Sequence, residues 1–271
     1  MNIRFILTGS FFAACLSAGF SQNDSLPPDF TIKGVAIGIS SPEMIDQMMV
    51  TMPGVGSNAK DMLTEQSVKP YIMPPRKADG SANAATYTIA SCLEFYTNFE
   101  RNYKLNLSPD FISLNLAKEG NPDLKNALRF LVTDGTVSAD IMPYDSPSIP
   151  RSVFATDKYK AINYLQIFRE TSKERQKVFE TQKALLRGNP VIVEMRIPDN
   201  FEQLQKIRFW TSLGEKGDKM APFLVVGYNQ ELEAFEVLST WGREWGSNGY
   251  LWLDFDDFGE MAQNGYVLVP Q

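Results

Sequence analysis

The chain is 271 residues long, 44% hydrophobic and 21% charged. That is an ordinary globular composition, which excludes a disordered, collagenous or disulfide-knotted chain, and the length suffices for one large domain or two small lobes. Lys and Arg number 26 against 32 Asp and Glu, for a net charge of −6, a balance that speaks against nucleic acid or an anionic membrane as the main partner. Histidine is absent altogether. Ser-His-Asp and Cys-His nucleophilic sites therefore lack their imidazole base, and most catalytic zinc sites lack a ligand. Glu, Asp or Lys remain as possible bases. No metal or cofactor is expected.

The N-terminus reads as an export signal. Residues 1–4 carry one positive charge at Arg4, residues 5–18 are mostly apolar, and Gly19-Phe20-Ser21 places small residues before a cleavage point ahead of Gln22. The stretch is short for a membrane span, and no later apolar run reaches 18 residues. Removal of residues 1–21 takes Arg4 and one of the two cysteines, Cys15, leaving Cys92 without an intramolecular disulfide partner. A second reading makes Phe12-Ala13-Ala14-Cys15 a lipid-attachment site, with Phe where Leu is the rule. The expected location is periplasmic, secreted or envelope-associated.

Residues 22–66 read as a leader into the fold. A strand is predicted over 31–39. Ser41-Pro42-Glu43 then opens a short helix with a cap, a proline at N1 and an early acid. Met44, Ile45, Met48 and Met49 fall at helical spacing and read as a packed stripe, and Met52-Pro53-Gly54 ends the helix. Residues 70–80 are extended and proline-rich. A long helix follows over 84–100, with Ile89, Cys92, Leu93, Tyr96 and Phe99 on one face. Further helices are predicted over 122–132, before a turn at Asp134-Gly135, and over 172–187, stopped by Gly188-Asn189-Pro190. Strands are predicted over 191–197, 223–228, 234–238 and 249–253. Helices first and strands later indicate an α+β protein with segregated lobes.

The last third carries a specific motif. Phe223-Leu224-Val225-Val226-Gly227-Tyr228 is followed by Phe235-Glu236-Val237-Leu238, then Ser239-Thr240-Trp241-Gly242, Trp245-Gly246 and Asn248-Gly249-Tyr250. This resembles the papain-like cysteine peptidase family, bacterial members included, whose pattern is His-Ala, an apolar strand, Gly-Tyr, a second strand, Asn-Ser-Trp-Gly, Trp-Gly and Gly-Tyr. Lys69-Pro70-Tyr71, Pro74-Pro75-Arg76, Leu107-Ser108-Pro109-Asp110-Phe111, Pro143-Tyr144-Asp145 and Gly188-Asn189-Pro190-Val191 resemble earlier family segments. The likeness runs from about residue 66 to the end. It implies a two-lobe fold: a helical lobe over about 67–165 with a long central helix, an antiparallel, barrel-like β lobe over about 166–271, and a cleft between them.

Carried over position by position, the resemblance places the family's nucleophile at Ala84, its base at Ala221, its orienting asparagine at Ser239 and its oxyanion-hole glutamine at Ala78. Tyr87 and Glu94 take the family's helix aromatic and glutamate, and Trp241, Gly242, Trp245, Gly246, Gly249 and Tyr250 form the retained structural motif. Ser91-Cys92-Leu93-Glu94-Phe95 imitates the family's nucleophile segment, but Cys92 lies eight residues after Ala84. At the helical rise that is about 12 Å from the family's nucleophile position, away from the helix N-terminus that depresses a catalytic thiol's pKa. It reads as a small buried apolar residue. The resemblance thus implies an inactive peptidase homologue that holds an extended peptide or a protein partner in its cleft; an active peptidase of unorthodox mechanism is the alternative.

Other clusters read as structural. Gly217-Asp218-Lys219 is a solvated turn, Asp254, Asp256 and Asp257 form a strand end rather than a calcium site, and the charges between Lys173 and Arg187 form a solvated helix face.

Overall fold

The computed structural model describes residues 36–55, 64–78, 81–117, 123–212 and 217–271. The predicted signal, its cleavage point, Cys15 and most of the strand predicted over 31–39 lie outside the described residues. Within the described part of that strand, only Ile39 forms a bridge, parallel to Leu165.

Six α-helices and eight strands are the main elements of the described residues. Helix α1 (Pro42–Met48) begins where predicted, with proline in its first turn. The Ser41 hydroxyl donates to the Glu43 carboxylate at 2.6 Å instead of accepting a backbone N–H. The methionine stripe is narrower than its spacing indicates: Ile45 and Met49 are buried, whereas Met44 is 36% exposed. Helix α2 (Ser81–Arg101) is the long central one, 21 residues, or about 31 Å. The predicted single apolar face is an underestimate, because from Ala84 to Asn98 only Ser91 escapes burial. A helix enclosed all round must pair its own polar groups inside the protein. Thr88 donates to the Ala84 carbonyl, Thr86 pairs with Ser113, and the Asn98 amide exchanges two hydrogen bonds with the Leu105 backbone.

Helix α3 (Pro109–Ala117) was not among the predicted elements; Pro109 opens it, and the Ser108 hydroxyl accepts from Phe111 N–H. Helix α4 (Leu124–Thr133) is capped by Asp123, which accepts from Asn126 N–H at 2.6 Å, and ends at Gly135 (φ +78°). Helix α5 (Glu174–Leu186) ends at Gly188 (φ +79°). Helix α6 (Phe255–Met261) completes the set.

The strands are β1 (Glu65–Ser67), β2 (Ala161–Phe168), β3 (Val191–Ile197), β4 (Phe209–Trp210), β5 (Lys219–Asn229), β6 (Ala234–Leu238), β7 (Tyr250–Asp254) and β8 (Ala262–Pro270). They form one sheet in the order β2-β8-β3-β5-β6-β7-β4, with β1 added to β5. Every ladder is antiparallel except β4 with β7. The ladders run from β2 to β4 with no pairing between those two among the described residues, and they make the largely antiparallel β lobe that the resemblance implied. Register shifts in three of the ladders mark where strands bend. The apolar run Phe223–Val226 lies in β5, whose neighbours β3 and β6 flank it and whose residues there are all buried.

Strands β2 and β8 went unread in the sequence, and β2 breaks the helices-then-strands order. It starts at Ala161, ahead of the expected lobe boundary near 166. Its Asn163 interrupts the apolar pattern, yet it is buried: its carboxamide oxygen accepts from Gly38 and Tyr164 N–H, and its nitrogen donates to the Ala36 carbonyl. Asn163 thereby fastens residues 36–39 to the sheet edge. Asn189 does the same farther on, donating to the Val50 carbonyl at 2.7 Å while accepting from the Tyr96 hydroxyl of α2 at 2.9 Å. Residues 36–55 are thus packed against both halves of the molecule.

Two further expectations change. The charged face of α5 is not wholly solvated, because Lys177 is buried and donates to the carbonyls of Gly259 and Ala262 at 3.0 and 2.6 Å. These oxygens sit at the C-terminal end of α6, where carbonyls lack helical partners. Lys219 belongs to β5 rather than to a turn and stands opposite Ile197.

Candidate functional site

The cleft site is assembled from four segments. Extended residues 72–78 lead into α2, and Ala78 N–H donates to the Thr240 carbonyl at 2.8 Å beside a Lys77–Trp241 bridge. Ala84 is the fourth residue of α2, near the end where unpaired backbone N–H groups and the helix dipole favour negative charge. Ala221 is the third residue of β5, opposite Met195 of β3. Ser239 follows β6; its N–H donates to the Gly249 carbonyl, and its hydroxyl accepts from Trp241 N–H at 3.2 Å.

Three of these four positions meet. A cavity of about 320 Å³ is lined by Ala78, Ala84 and Ala221 together with Met220, Thr240 and Trp241. Lys77, Glu202, Lys219 and Pro222 complete its walls. Ser239 lies behind, lining a gap of about 10 Å³ with Arg76, Tyr87, Thr88 and Ser91, the size of a single water. Among the described residues, the titratable side chains lining the main cavity are Lys77, Glu202 and Lys219. Lys219 Nζ and Glu202 Oε1 form an ion pair at 2.5 Å. Methyl groups, an indole and a thioether make up most of the remaining wall, a surface suited to holding a chain by shape and backbone contact.

Cys92 is fully buried, and burial pushes its thiol pKa far up. It does not line this cavity. Aspartates 254 and 257 are structural: Asp254 caps α6 by accepting from Asp256 N–H, and Asp257 accepts from Ser212 N–H at 2.6 Å. No group of metal-ligating side chains occurs among the described residues.

The β-lobe wall is held by the tryptophan–glycine motif. Trp245 is buried and donates from Nε1 to the Phe201 carbonyl at 2.8 Å. Its ring lies 5.1 Å from Trp241, and Phe223 packs 5.3 Å from Trp241. These edge-to-face contacts fix the indole that faces the cavity. Gly246 (φ +57°) and Gly249 (φ +84°) allow the turn between the second tryptophan and Tyr250. A Cβ at Gly249 would stand 2.6 Å from Pro75 Cβ, so this glycine also lets the segment before α2 close onto the β lobe.

The helical side is anchored by a buried ion pair that the sequence did not reveal beyond the glutamate position. Arg76 Nη2 lies 2.8 Å from Glu94 Oε2 and 2.8 Å from Asn106 Oδ1, and its guanidinium stands 4.8 Å above the Tyr144 ring. Glu94 also accepts from Leu107 N–H at 2.6 Å. Burial raises the Glu94 pKa above its ordinary 4.5, and the nearby Arg76 charge only partly opposes this. Arg76 Nη1 and the Tyr144 hydroxyl are buried without a hydrogen-bond partner among the described residues.

A helical lobe led by one long helix, an antiparallel sheet and a cleft beside the helix start define a papain-like protein. A family model for the papain family cysteine proteases matches residues 118–267, and the chain belongs to that family. Xylellain, a cysteine protease from Xylella fastidiosa, matches with 15% identity and a TM-score of 0.62, covering 88% of this chain and 94% of its own. The Carica candamarcensis cysteine protease CMS1MS2, in complex with E-64, gives 16% and 0.61, with coverages of 77% and 99%. Digestive procathepsin L 3 of the Tenebrio molitor larval midgut gives 14% and 0.64, with 84% and 78%. At such identities the likeness speaks for the fold alone. No curated protein matches. None of the described helices is long and apolar enough to cross a membrane.

Proposed function

We propose that this chain is a papain-family protein that binds extended peptide or a protein partner in its cleft without cleaving it. The observation that carries the reading is the meeting of Ala78, Ala84 and Ala221 around one cavity, at the positions where the family resemblance puts the oxyanion donor, nucleophile and base. Ser239 stands for the orienting asparagine. Thiol attack needs a thiolate, an imidazole to share its proton, and donors for the developing oxyanion; among the described residues neither a thiol nor an imidazole lines the cavity, and alanine stands at the position matched to the oxyanion donor. Loss of one such group has known substitutes; loss of all four leaves binding as the use of the cleft.

The chain is further read as an exported protein, cleaved after Ser21 or lipid-anchored at Cys15, with residues 22–66 as an extension ahead of the papain-like domain 67–271. The cleft reading is tested by panning a random peptide library against the full chain. Selected peptides should lose binding to Ala84→Trp, which fills the cavity, while a melting curve shows the variant folded. Equal binding by a folded variant would place the partner on another surface.

A further inference from the structure

A second cavity, of about 330 Å³, shares no wall with the cleft, and its walls include Glu65, Ser67, Pro70, Tyr71 and Trp252. Fixed elements present them. Trp252 is the third residue of β7 and half-buried. Tyr71 packs edge-to-face on Phe99 of α2 at 5.2 Å and remains 40% exposed. Ser67 stands opposite Gly227, where a Cβ would lie 2.8 Å from the Gln66 carbonyl, so glycine lets β1 close onto β5. Glu65 is the one charged residue lining the cavity among the described residues. Its exposed carboxylate accepts from Asn229 at 3.2 Å.

The sheet already holds an ammonium beside this cavity. Lys69 Nζ lies 4.0 Å from the centre of the Tyr250 ring and 2.5 Å from the Glu236 carboxylate. Tyr250 is two residues before Trp252 and so shares its side of β7, and Glu236 stands directly opposite Trp252. One ring face and one carboxylate thus hold a cation there. The cavity presents the same two kinds of group again, in Trp252, Tyr71 and Glu65, and Glu236 neutralises the Lys69 charge next to it.

These walls select a ligand by charge and by the stem that carries it. An anion meets the Glu65 carboxylate and no unpaired cation in the lining. A neutral ligand gains nothing from that carboxylate that water does not already supply. A bare metal ion needs clustered oxygen ligands, and no group of metal-ligating side chains occurs among the described residues. An alkylammonium ion gains from every wall: its charge lies against ring faces and a carboxylate, and its methyl or methylene groups leave water against Trp252, Tyr71 and Pro70. The net charge of −6 favours its approach. The volume falls at the lower end of small-molecule sites, about 300–1,000 Å³. We propose that this cavity is a subsite for the alkylammonium head of a small organic cation, independent of the peptide cleft.

The test is saturation-transfer NMR on the full chain with choline, tetramethylammonium and butylammonium, and with dimethylbutanol, the uncharged carbon isostere of choline. At least one of the three cations should show saturable transfer, with a Kd on the order of 1 mM. Dimethylbutanol should bind about tenfold more weakly than choline, and Trp252→Leu should weaken the cation about tenfold. Glu65→Gln, at an exposed position that leaves the fold intact, should weaken it about fivefold, while Ala84→Trp should leave it unchanged. If Trp252→Leu melts early, Tyr71→Leu carries the same expectation of weakening. Absence of saturable transfer from all three cations, equal binding of dimethylbutanol and choline, or cation binding indifferent to Glu65→Gln and to the ring variants would overturn the assignment.

Discussion

Replacing Arg76 by alanine removes the cation paired with the Glu94 carboxylate at the centre of α2. The Glu94 side chain is 0% exposed and that of Arg76 15%, so the lost partner is not replaced by bulk water. Breaking a buried ion pair from one side costs about 3–5 kcal/mol, because the remaining charge stays buried. The lost contact over Tyr144 is included in that range. With a urea m-value near 3 kcal/mol/M, the midpoint should fall by about 1–2 M. Joint replacement by Arg76→Met and Glu94→Leu should lie closer to wild type, since both charges leave together and Arg76 Nη1 already lacks a partner among the described residues. That double variant still gives up the acceptor of Leu107 N–H, at about 1–3 kcal/mol.

The pH dependence has a definite sign. Burial holds the Glu94 pKa above 4.5 in the folded chain, so the folded state takes up this proton more readily than the unfolded one. Its contribution to stability is fully present below 4.5 and is lost as pH rises through the folded value. Without Arg76 the folded value rises further, and the penalty of Arg76→Ala should shrink as pH is lowered. Urea unfolding followed by tryptophan fluorescence, at about pH 7 and about pH 5, measures both effects. A loss at neutral pH below about 1 kcal/mol, the scale of an exposed pair, or a penalty that does not shrink at the lower pH, would refute the reasoning.

Three other outcomes are expected. Mass-spectrometric mapping after brief treatment of the native chain with a thiol reagent should find Cys92 unmodified until denaturant is added, because burial raises its pKa; prompt native labelling contradicts this. Gly249→Ala forces a side chain onto φ +84° and against Pro75, and should cost more than about 1 kcal/mol in the same urea assay; an unchanged midpoint would mean that the turn relaxes freely. Burial lowers the Lys177 pKa below 10.5, so the unfolded chain binds this proton more tightly and stability should rise with pH through the lowered value. Wild type should therefore gain on Lys177→Met as pH climbs from about 8 to about 10, and a gap that narrows instead would contradict the assignment.

What was legible in the sequence follows from the range of the interactions. Strand β3 and strand β6 were read to the residue, and helices α2, α4 and α5 to within a few residues at each end, since their periodicity and glycine or proline stops are local. The spacing of Trp241, Trp245 and Gly249 carried the family resemblance and, through it, the three alanines that line the cleft. Features that depend on distant partners were missed. Asn163 masks β2 as a strand because its carboxamide serves residues 36–38, more than 120 positions away. Lys177 looked like part of a solvated face because the carbonyls it meets belong to α6 and β8. Arg76 gave no sign of its role, which comes from Glu94 and Asn106 folding over it. Met44 illustrates the reverse limit: it fits the helical stripe by spacing, but only Ile45 and Met49 of that stripe are buried.

The central claim, a cleft that binds without cutting, is tested most directly by incubating the full chain with a diverse peptide library under reducing conditions and reading the products by mass spectrometry. The account predicts an uncut library, with peptides retained by the wild type and released by Ala84→Trp. New termini that grow in proportion to the protein and survive controls for contaminating proteases would contradict it and establish an enzyme.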